Sequence, residues 1–265
     1  MKISFLVTVH NETTELQTLL SQLNSYLDST GHKDEVVILD DYSTNKDTID
    51  LIDTYSSIDN FTVVKHKLDV KGEGFGGHKQ FGNEQCSGDY IFQVDADEYF
   101  SDALLYNLKE LLIGNPTVDL FLIPRVNIIR ELNVWNYAKY GWQISKLDEF
   151  EEQKVFDDQS SEYQFIKNFN FVSNEKRISE TQIDVTYKLP IINWGSGDYQ
   201  YRLYRNSKGI TWDRPLHELI IGADVQTYLP KEVEWSLIHD KTMRRQTQQN
   251  TFYMTEFSQE MNTRN

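Results

Sequence analysis

Asp95 and Asp97 are two carboxylates spaced two residues apart, directly after the apolar run Tyr90-Ile91-Phe92-Gln93-Val94. Where a buried strand opens into a loop, such a pair can reach a hard divalent cation or the ligand that the cation bridges. An EF-hand calcium loop does not fit, because Phe100 stands where that loop needs glycine. Polar groups recur in the same place elsewhere. Thr8, His10 and Glu12 close the run Ile3 to Val9, and Asp40 and Asp41 follow Val36 to Leu39. Carboxylates at the ends of buried strands require a cation or hydrogen-bond donors to meet them. A metal ion, a ribose and a nucleobase together would supply both.

The stretch Gly72-Glu73-Gly74-Phe75-Gly76-Gly77 satisfies G-x-G-x-x-G, with Asp95 about 20 residues further on. A dinucleotide fingerprint must follow a strand directly and open a helix. Here Leu68 to Lys71 separate the preceding strand from the first glycine, and Gly82 interrupts the helix that follows. The loop is better suited to bringing backbone close to a phosphate-bearing ligand, with Lys71, His78 or Lys79 facing it.

The elements that must position these groups are legible from periodicity. Leu16, Leu19, Leu20, Leu23 and Leu27 form one stripe of an amphipathic helix, with Thr13 or Thr14 at its start and Gly31 at its stop. Val36 to Leu39 is unbroken apolar, as a parallel strand covered on both faces should be. Strand and helix alternate four times over the first hundred residues, which predicts an α/β fold with a mostly parallel central sheet flanked by helices. In such sheets ligands bind beyond the carboxyl ends of the strands. A helix over about 102–113 and a strand near Leu120 to Ile123 follow. Residues 148–184 hold ten acids against four Lys and Arg with little regular periodicity, and read as an acidic insertion or lid. Met243, Met254, Phe257 and Met261 predict a C-terminal helix packed on the protein's own core or on a second subunit. The domain expectation is 1–124 as an α/β half carrying the strand-end acids, 125–240 as a second half including 148–184, and 241–265 as a helical tail.

Composition narrows the partners. The 265 residues carry 26 Lys and Arg against 41 Asp and Glu, a net charge of −15. That charge argues against a broadly basic surface for nucleic acid or acidic lipid, though a local basic groove is compatible with it. Cys86, the single cysteine, can form neither an intramolecular disulfide nor a Cys-rich zinc site. No run approaches the roughly 18 apolar residues of a membrane span, and the N-terminus lacks a signal peptide's features. The expectation is a cytoplasmic protein without a transmembrane segment, and a homo-oligomer is compatible with it.

The order LVTVHNE, VVILDDYST and GDYIFQVDADE resembles family 2 glycosyltransferases with the GT-A fold. The resemblance extends to about Pro124 and returns in GDYQYRLYRNSKGITWDRPLHE, similar to a segment of small bacterial sugar-transferring members. It implies that Thr8, His10 and Glu12 line the nucleotide's base and ribose and that Asp41 binds the base, usually uracil. His10 departs from the family's usual Tyr. Asp95 would approach the ribose or donor sugar, Lys79 the diphosphate, and Asp97 would coordinate Mn²⁺ or Mg²⁺, with His217 a further metal or phosphate contact. Asp198 matches the position of the family's catalytic acid and would act as general base, with Glu218 as its rival. The implied function is a metal-dependent, inverting glycosyltransferase moving a sugar from a nucleotide-diphosphate donor, a UDP-sugar first, to an acceptor hydroxyl on a glycan. Three alternatives stay open: transfer to a modified nucleic-acid base, a nucleotidyltransferase, and a sugar-nucleotide-binding protein without catalysis.

Overall fold

The computed structural model describes residues 1–195, 197–207 and 209–257. The chain divides into two compact units. Met1–Pro124, Tyr199–Leu237 and the chain from Thr251 form the first; Arg125–Asp198 and Ile238–Asn250 form the second.

The first unit begins β1 (Ile3–Val9), α1 (Thr14–Thr30), β2 (Glu35–Asp40), α2 (Lys46–Ser56), β3 (Phe61–Lys65), α3 (Gly74–Asn83) and β4 (Tyr90–Asp95). Next come β5 (Glu98–Phe100), α4 (Asp102–Gly114) and β6 (Leu120–Arg130), whose later residues belong to the second unit. Strands β3, β2, β1 and β4 pair side by side in that order, all parallel. Register sets Thr8 opposite Leu39 on one side and Asp95 on the other, and sets Val9 opposite Asp40. Parallel pairing therefore aligns the polar strand ends on a single edge.

The apolar runs are unbroken because both faces are covered. Phe5 and Val7 meet the leucine stripe of α1, with Phe92, Phe100 and Leu104, in one core cluster. Leu6, Val37, Leu39 and Ile91 belong to a second cluster, with Tyr204 and Trp212. Gly31 stops α1 in the left-handed region at φ 62°, its N–H reaching the Leu27 carbonyl at 3.0 Å. Thr13 stands at the N-cap but makes no capping bond there; its hydroxyl meets that of Thr48 at 2.7 Å.

The second unit continues α5 (Val134–Tyr140), β7 (Ile144–Ser145), β8 (Glu151–Asp157), α6 (Ser161–Asn168), β9 (Val172–Arg177), β10 (Gln182–Lys188) and β11 (Ile191–Ile192). The acidic segment is thus regular: β8, β10 and β9 form an antiparallel sheet with β10 in the centre. Its signal is the alternation of Ile183, Val185 and Tyr187, all buried, which the acids of the surrounding segment obscure in composition.

The first unit resumes with β12 (Tyr199–Arg205), β13 (Thr211–Asp213), β14 (Leu219–Ile221) and β15 (Gln226–Tyr228). Strand β12 lies antiparallel to β4 and to the first half of β6, so the sheet is parallel at β3 to β4 and mixed beyond. The expected strand near Leu120 to Ile123 runs on through Pro124, which sits in register with Tyr199. Last come β16 (Leu237–Thr242) and α7 (Met243–Glu256). The expected stripe on α7 is only partly inward: Met243 and Phe257 are buried, but Met254 is 74% exposed, and Met261 lies outside the described residues. No described helix is long and apolar enough to cross a membrane.

Candidate functional site

The loops after β1 and β2 are sewn together by Asn11. Its backbone is left-handed at φ 68°, a conformation asparagine tolerates. Its side-chain oxygen accepts from the N–H groups of Thr44 and Asn45 at 2.7 and 2.8 Å. His10 Nδ1 lies 2.8 Å from the Asp41 carbonyl and its Nε2 lies 3.0 Å from Asn11 Nδ2. With Nδ1 as donor and Nε2 as acceptor, both contacts are satisfied and the half-exposed ring is fixed in plane. Glu12 accepts from the His10 N–H at 2.6 Å, and Asp41 accepts from the Leu68 N–H at 2.7 Å. Asp40 is buried and accepts from the Ser43 N–H at 2.9 Å, so it shapes the turn.

Thr8, Lys79, Asp95 and Glu218 converge within the first unit. Asp95 Oδ1 accepts from the Thr8 hydroxyl and from Gln93 Nε2, both at 2.8 Å, with Lys79 Nζ at 3.5 Å. Asp95 Oδ2 accepts from Arg202 Nη2 at 2.6 Å. Burial pushes the Asp95 carboxyl up, but Arg202, Lys79 and Gln93 outweigh it and hold the group well below the usual carboxylate range. Arg202 Nη2 also donates to the fully buried Glu98 at 2.7 Å, and Nη1 donates to Gln93 Oε1. Lys79 is buried, donates to Glu218 Oε1 at 2.5 Å, and sits 5.0 Å above the centroid of a Trp212 ring. Two cations and three carboxylates thus interlock, each charge neutralising its neighbours.

The glycines serve this cluster. A Cβ on Gly76 would meet the Arg214 carbonyl at 2.3 Å, and one on Gly74 the Pro215 carbonyl at 2.3 Å. Phe75 and Gly76 donate backbone hydrogen bonds to Pro215 and Arg214 at 2.8 and 3.1 Å. The chain's own backbone, rather than a ligand, therefore makes these two positions need glycine. Seating Arg214 and Pro215 there brings Glu218 to Lys79. His217 is exposed with a left-handed backbone at φ 54°.

His78 is buried in the first turns of α3, its Nδ1 3.2 Å from that of His66, whose ring stacks on Phe81 at 4.1 Å. Burial first, then His66 and Lys79, push His78 down to about 4, against the opposing pull of Asp95 and Asp40. In the unfolded chain the imidazole takes its proton near pH 6.5, so stability falls as pH drops from 6.5 towards 4. The expected loss from this group is up to about 3 kcal/mol. Urea titrations at pH 7.5 and 5 check it. His78→Asn should flatten the slope, and an unchanged slope would contradict the assignment.

In the second unit Asp198 Oδ2 accepts from Arg125 Nε and Nη2 at 2.9 and 2.7 Å and from Asn127 Nδ2 at 2.8 Å. The Arg125 N–H donates to the Asp198 carbonyl at 2.8 Å. Asn127 Oδ1 in turn meets Nδ1 of the buried His239 at 2.9 Å. Asp198 is therefore held at its main chain and its side chain together. Arg202, Glu98, Gln93, Arg125 and Asn127 do not stand out from sequence motifs. The one available signal is Arg202 itself, a cation between Tyr201 and Leu203 in the interior of the strand sequence YQYRLYR.

Among the described residues no three His, Cys, Asp or Glu side chains converge to hold a metal ion. Asp95 is ringed by four protein donors, and Asp97 lies half-buried on the turn beyond it. One or two protein carboxylates suffice for a small hard cation whose other ligands are phosphate oxygens and water. A carboxylate placed as Asp97 is would fit a metal brought with a diphosphate.

A parallel α/β sheet with acids and cations gathered at its carboxyl edge fits the GT-A fold of sugar-nucleotide enzymes. The chain belongs to glycosyl transferase family 2, whose model matches residues 4–173. No curated protein matches it. Among solved structures, S. aureus TarS 1-349 in complex with UDP-GlcNAc is 18% identical, with a TM-score of 0.49; the alignment covers 91% of this chain and 59% of that one. The mannosyltransferase PcManGT from Pyrobaculum calidifontis, in complex with GDP-Man and Mn²⁺, is 21% identical over 45% of this chain and 34% of that one, with a TM-score of 0.37. The chain thus spans less than two thirds of the length of either structure.

Proposed function

We propose that the chain is a metal-dependent, inverting glycosyltransferase that moves a sugar from a nucleoside-diphosphate donor, a UDP-sugar first, to an acceptor hydroxyl on a glycan. The observation that carries this reading is the convergence of Thr8, Lys79, Asp95 and Glu218 at the strand ends of a family 2 chain. His10 and Asp41, locked together beside Glu12, would receive the base and ribose. Asp95, held by the buried Arg202, would approach the donor's ribose or sugar, and Lys79 would meet the diphosphate. Asp97, with His217 as a further contact, would hold Mn²⁺ or Mg²⁺. When bound, that cation neutralises charge developing on the leaving diphosphate.

As general base we assign Asp198. It would take the acceptor hydroxyl's proton while the oxygen attacks the anomeric carbon from the face opposite the departing diphosphate. Both acids are ion-paired, Asp198 to Arg125 and Glu218 to Lys79, but Glu218 is the less accessible, its side chain 19% exposed against 29% for Asp198.

Calorimetric titration of UDP with and without Mn²⁺ tests the donor assignment. The wild-type chain should bind UDP more tightly with Mn²⁺, and Asp97→Ala should lose only that increment. Mn²⁺-dependent affinity equal to wild type in Asp97→Ala would overturn the metal assignment.

A further inference from the structure

Helix α5 in the second unit buries none of its seven residues. So short a helix is not stable on its own hydrogen bonds. Its ends are set locally: the Asn133 side chain accepts from the Asn136 N–H at 2.9 Å, and Gly141, left-handed at φ 61°, closes the last turn onto the Tyr137 carbonyl. Two side chains fasten it. Tyr137 packs edge-on to Phe169 at 5.0 Å, and the Tyr140 hydroxyl meets the side chains of Asn250 and Thr247.

What this anchoring displays is aromatic. Trp135 is 84% exposed. The Trp142 ring lies on that of Tyr140, centroids 4.5 Å apart and planes within 7°. A protein ordinarily hides indole rings in its core, where each contributes a large buried area. Here hydrogen bonds hold the Tyr140 ring in place, Lys139 Nζ lies 5.0 Å from its centroid and the Trp142 ring is laid flat on it, so the faces left to a ligand are those of Trp135 and Trp142. Such π faces, negative at the centre, match the polarised C–H face of a pyranose.

Strand register relates this surface to Asp198. Ile144 of β7 pairs with Ile192 of β11, and Ile192 pairs with Asn127 of β6, which donates to Asp198. Two strand spacings put the Ile144 and Asn127 backbones about 10 Å apart. Gln143, between Trp142 and Ile144, accepts from the Asn193 N–H at 2.8 Å, and a Cβ on Gly195 would meet its Oε1 at 3.2 Å. The aromatic segment and the chain leading to Asp198 are thus tied directly. The second unit is also nearly balanced in charge, with 12 Lys and Arg against 13 Asp and Glu. That balance suits a neutral ligand better than a polyanion.

We propose that Trp135 and Trp142, the latter backed by Tyr140, form an acceptor subsite for a neutral saccharide chain, whose rings lie on the two indole faces while one hydroxyl reaches Asp198. The inference rests on the reading of Asp198 as general base. The experiment is a glycan array of neutral and acidic oligosaccharides probed with the full chain, Trp135→Ala and Trp142→Ala. UDP titration and sedimentation are run on the same samples. The wild type should be retained on a subset of neutral glycans, and each substitution should weaken retention about tenfold with UDP affinity unchanged. Retention on no glycan, retention indifferent to both substitutions, or retention confined to acidic glycans would overturn the subsite. So would a dimer that Trp135→Ala converts to monomer without changing glycan retention. Trp-dependent glycan retention by a chain that binds no UDP would defeat the transferase reading and leave the subsite standing. UDP binding without Trp-dependent retention would do the reverse.

Discussion

Replacing Asp198 by Asn is expected to lower sugar transfer about 10²- to 10⁴-fold, the contribution of a positioned general base, while nucleotide-sugar affinity stays unchanged. The change is nearly isosteric and leaves a side-chain oxygen for Arg125 and Asn127 to bond, so the local geometry persists. The amide, however, cannot take a proton from the acceptor hydroxyl. Steady-state transfer and equilibrium donor binding, measured on one preparation, separate the two effects. The companion variant Glu218→Gln should behave differently, because removing its charge leaves the buried Lys79 with Asp95 alone and weakens donor binding. If Glu218→Gln abolishes transfer with donor binding intact while Asp198→Asn retains activity, the base is Glu218.

The largest effect on stability is expected at Arg202. Arg202→Met removes the cation shared by Asp95 and Glu98, and Glu98 has no solvent to fall back on. Removing one partner of a buried pair leaves the other charge uncompensated, at a cost of about 3–5 kcal/mol. Urea denaturation at pH 7 reads this directly. Glu98→Gln in the Arg202→Met background should recover part of the loss by removing the buried charge. A loss of about 1 kcal/mol or less, the scale of a surface pair, would show that the cluster is not the buried charged assembly described.

These variants also show where the sequence speaks and where it is silent. The β1 to β4 layer is legible because its signals are local: apolar runs of strand length, a leucine stripe at helical spacing, polar residues at strand ends. Thr8 and Asp95 could be named together because parallel pairing brings strand ends to one edge whatever the details, whereas Lys79, on α3, is named from the glycine loop and the family resemblance. Arg202 could not be joined to Asp95, 107 residues away, because β12 reaches β4 by antiparallel pairing that no local pattern records. Asn127 was hidden similarly. Pro124 suggests an end to β6, yet the strand continues and carries Asn127 beneath Asp198. The acidic segment misleads for another reason: Asp184 and Lys188 on the less buried side of β10, among the acids around it, mask the alternation of Ile183, Val185 and Tyr187. The glycine loop shows a third case. Its composition points to a phosphate, whereas Gly74 and Gly76 are required by the approach of Arg214 and Pro215.

The charge of −15 takes a different meaning from this arrangement. The second unit is close to neutral, so most of the excess lies in the unit carrying Asp41, Asp95, Asp97 and Glu218. There the acids are set against Lys79 and Arg202, and a cation arriving with a diphosphate would extend the same pattern of alternating charge.

The most direct measurement is nucleoside-diphosphate release from a panel of nucleotide-diphosphate sugars incubated with the chain and Mn²⁺, first without acceptor and then with glycan extracts added. Slow release from at least one donor, faster with acceptor and lost in Asp97→Ala, is the predicted result. No release from any donor under either condition would contradict the assignment of this chain as a nucleotide-sugar glycosyltransferase.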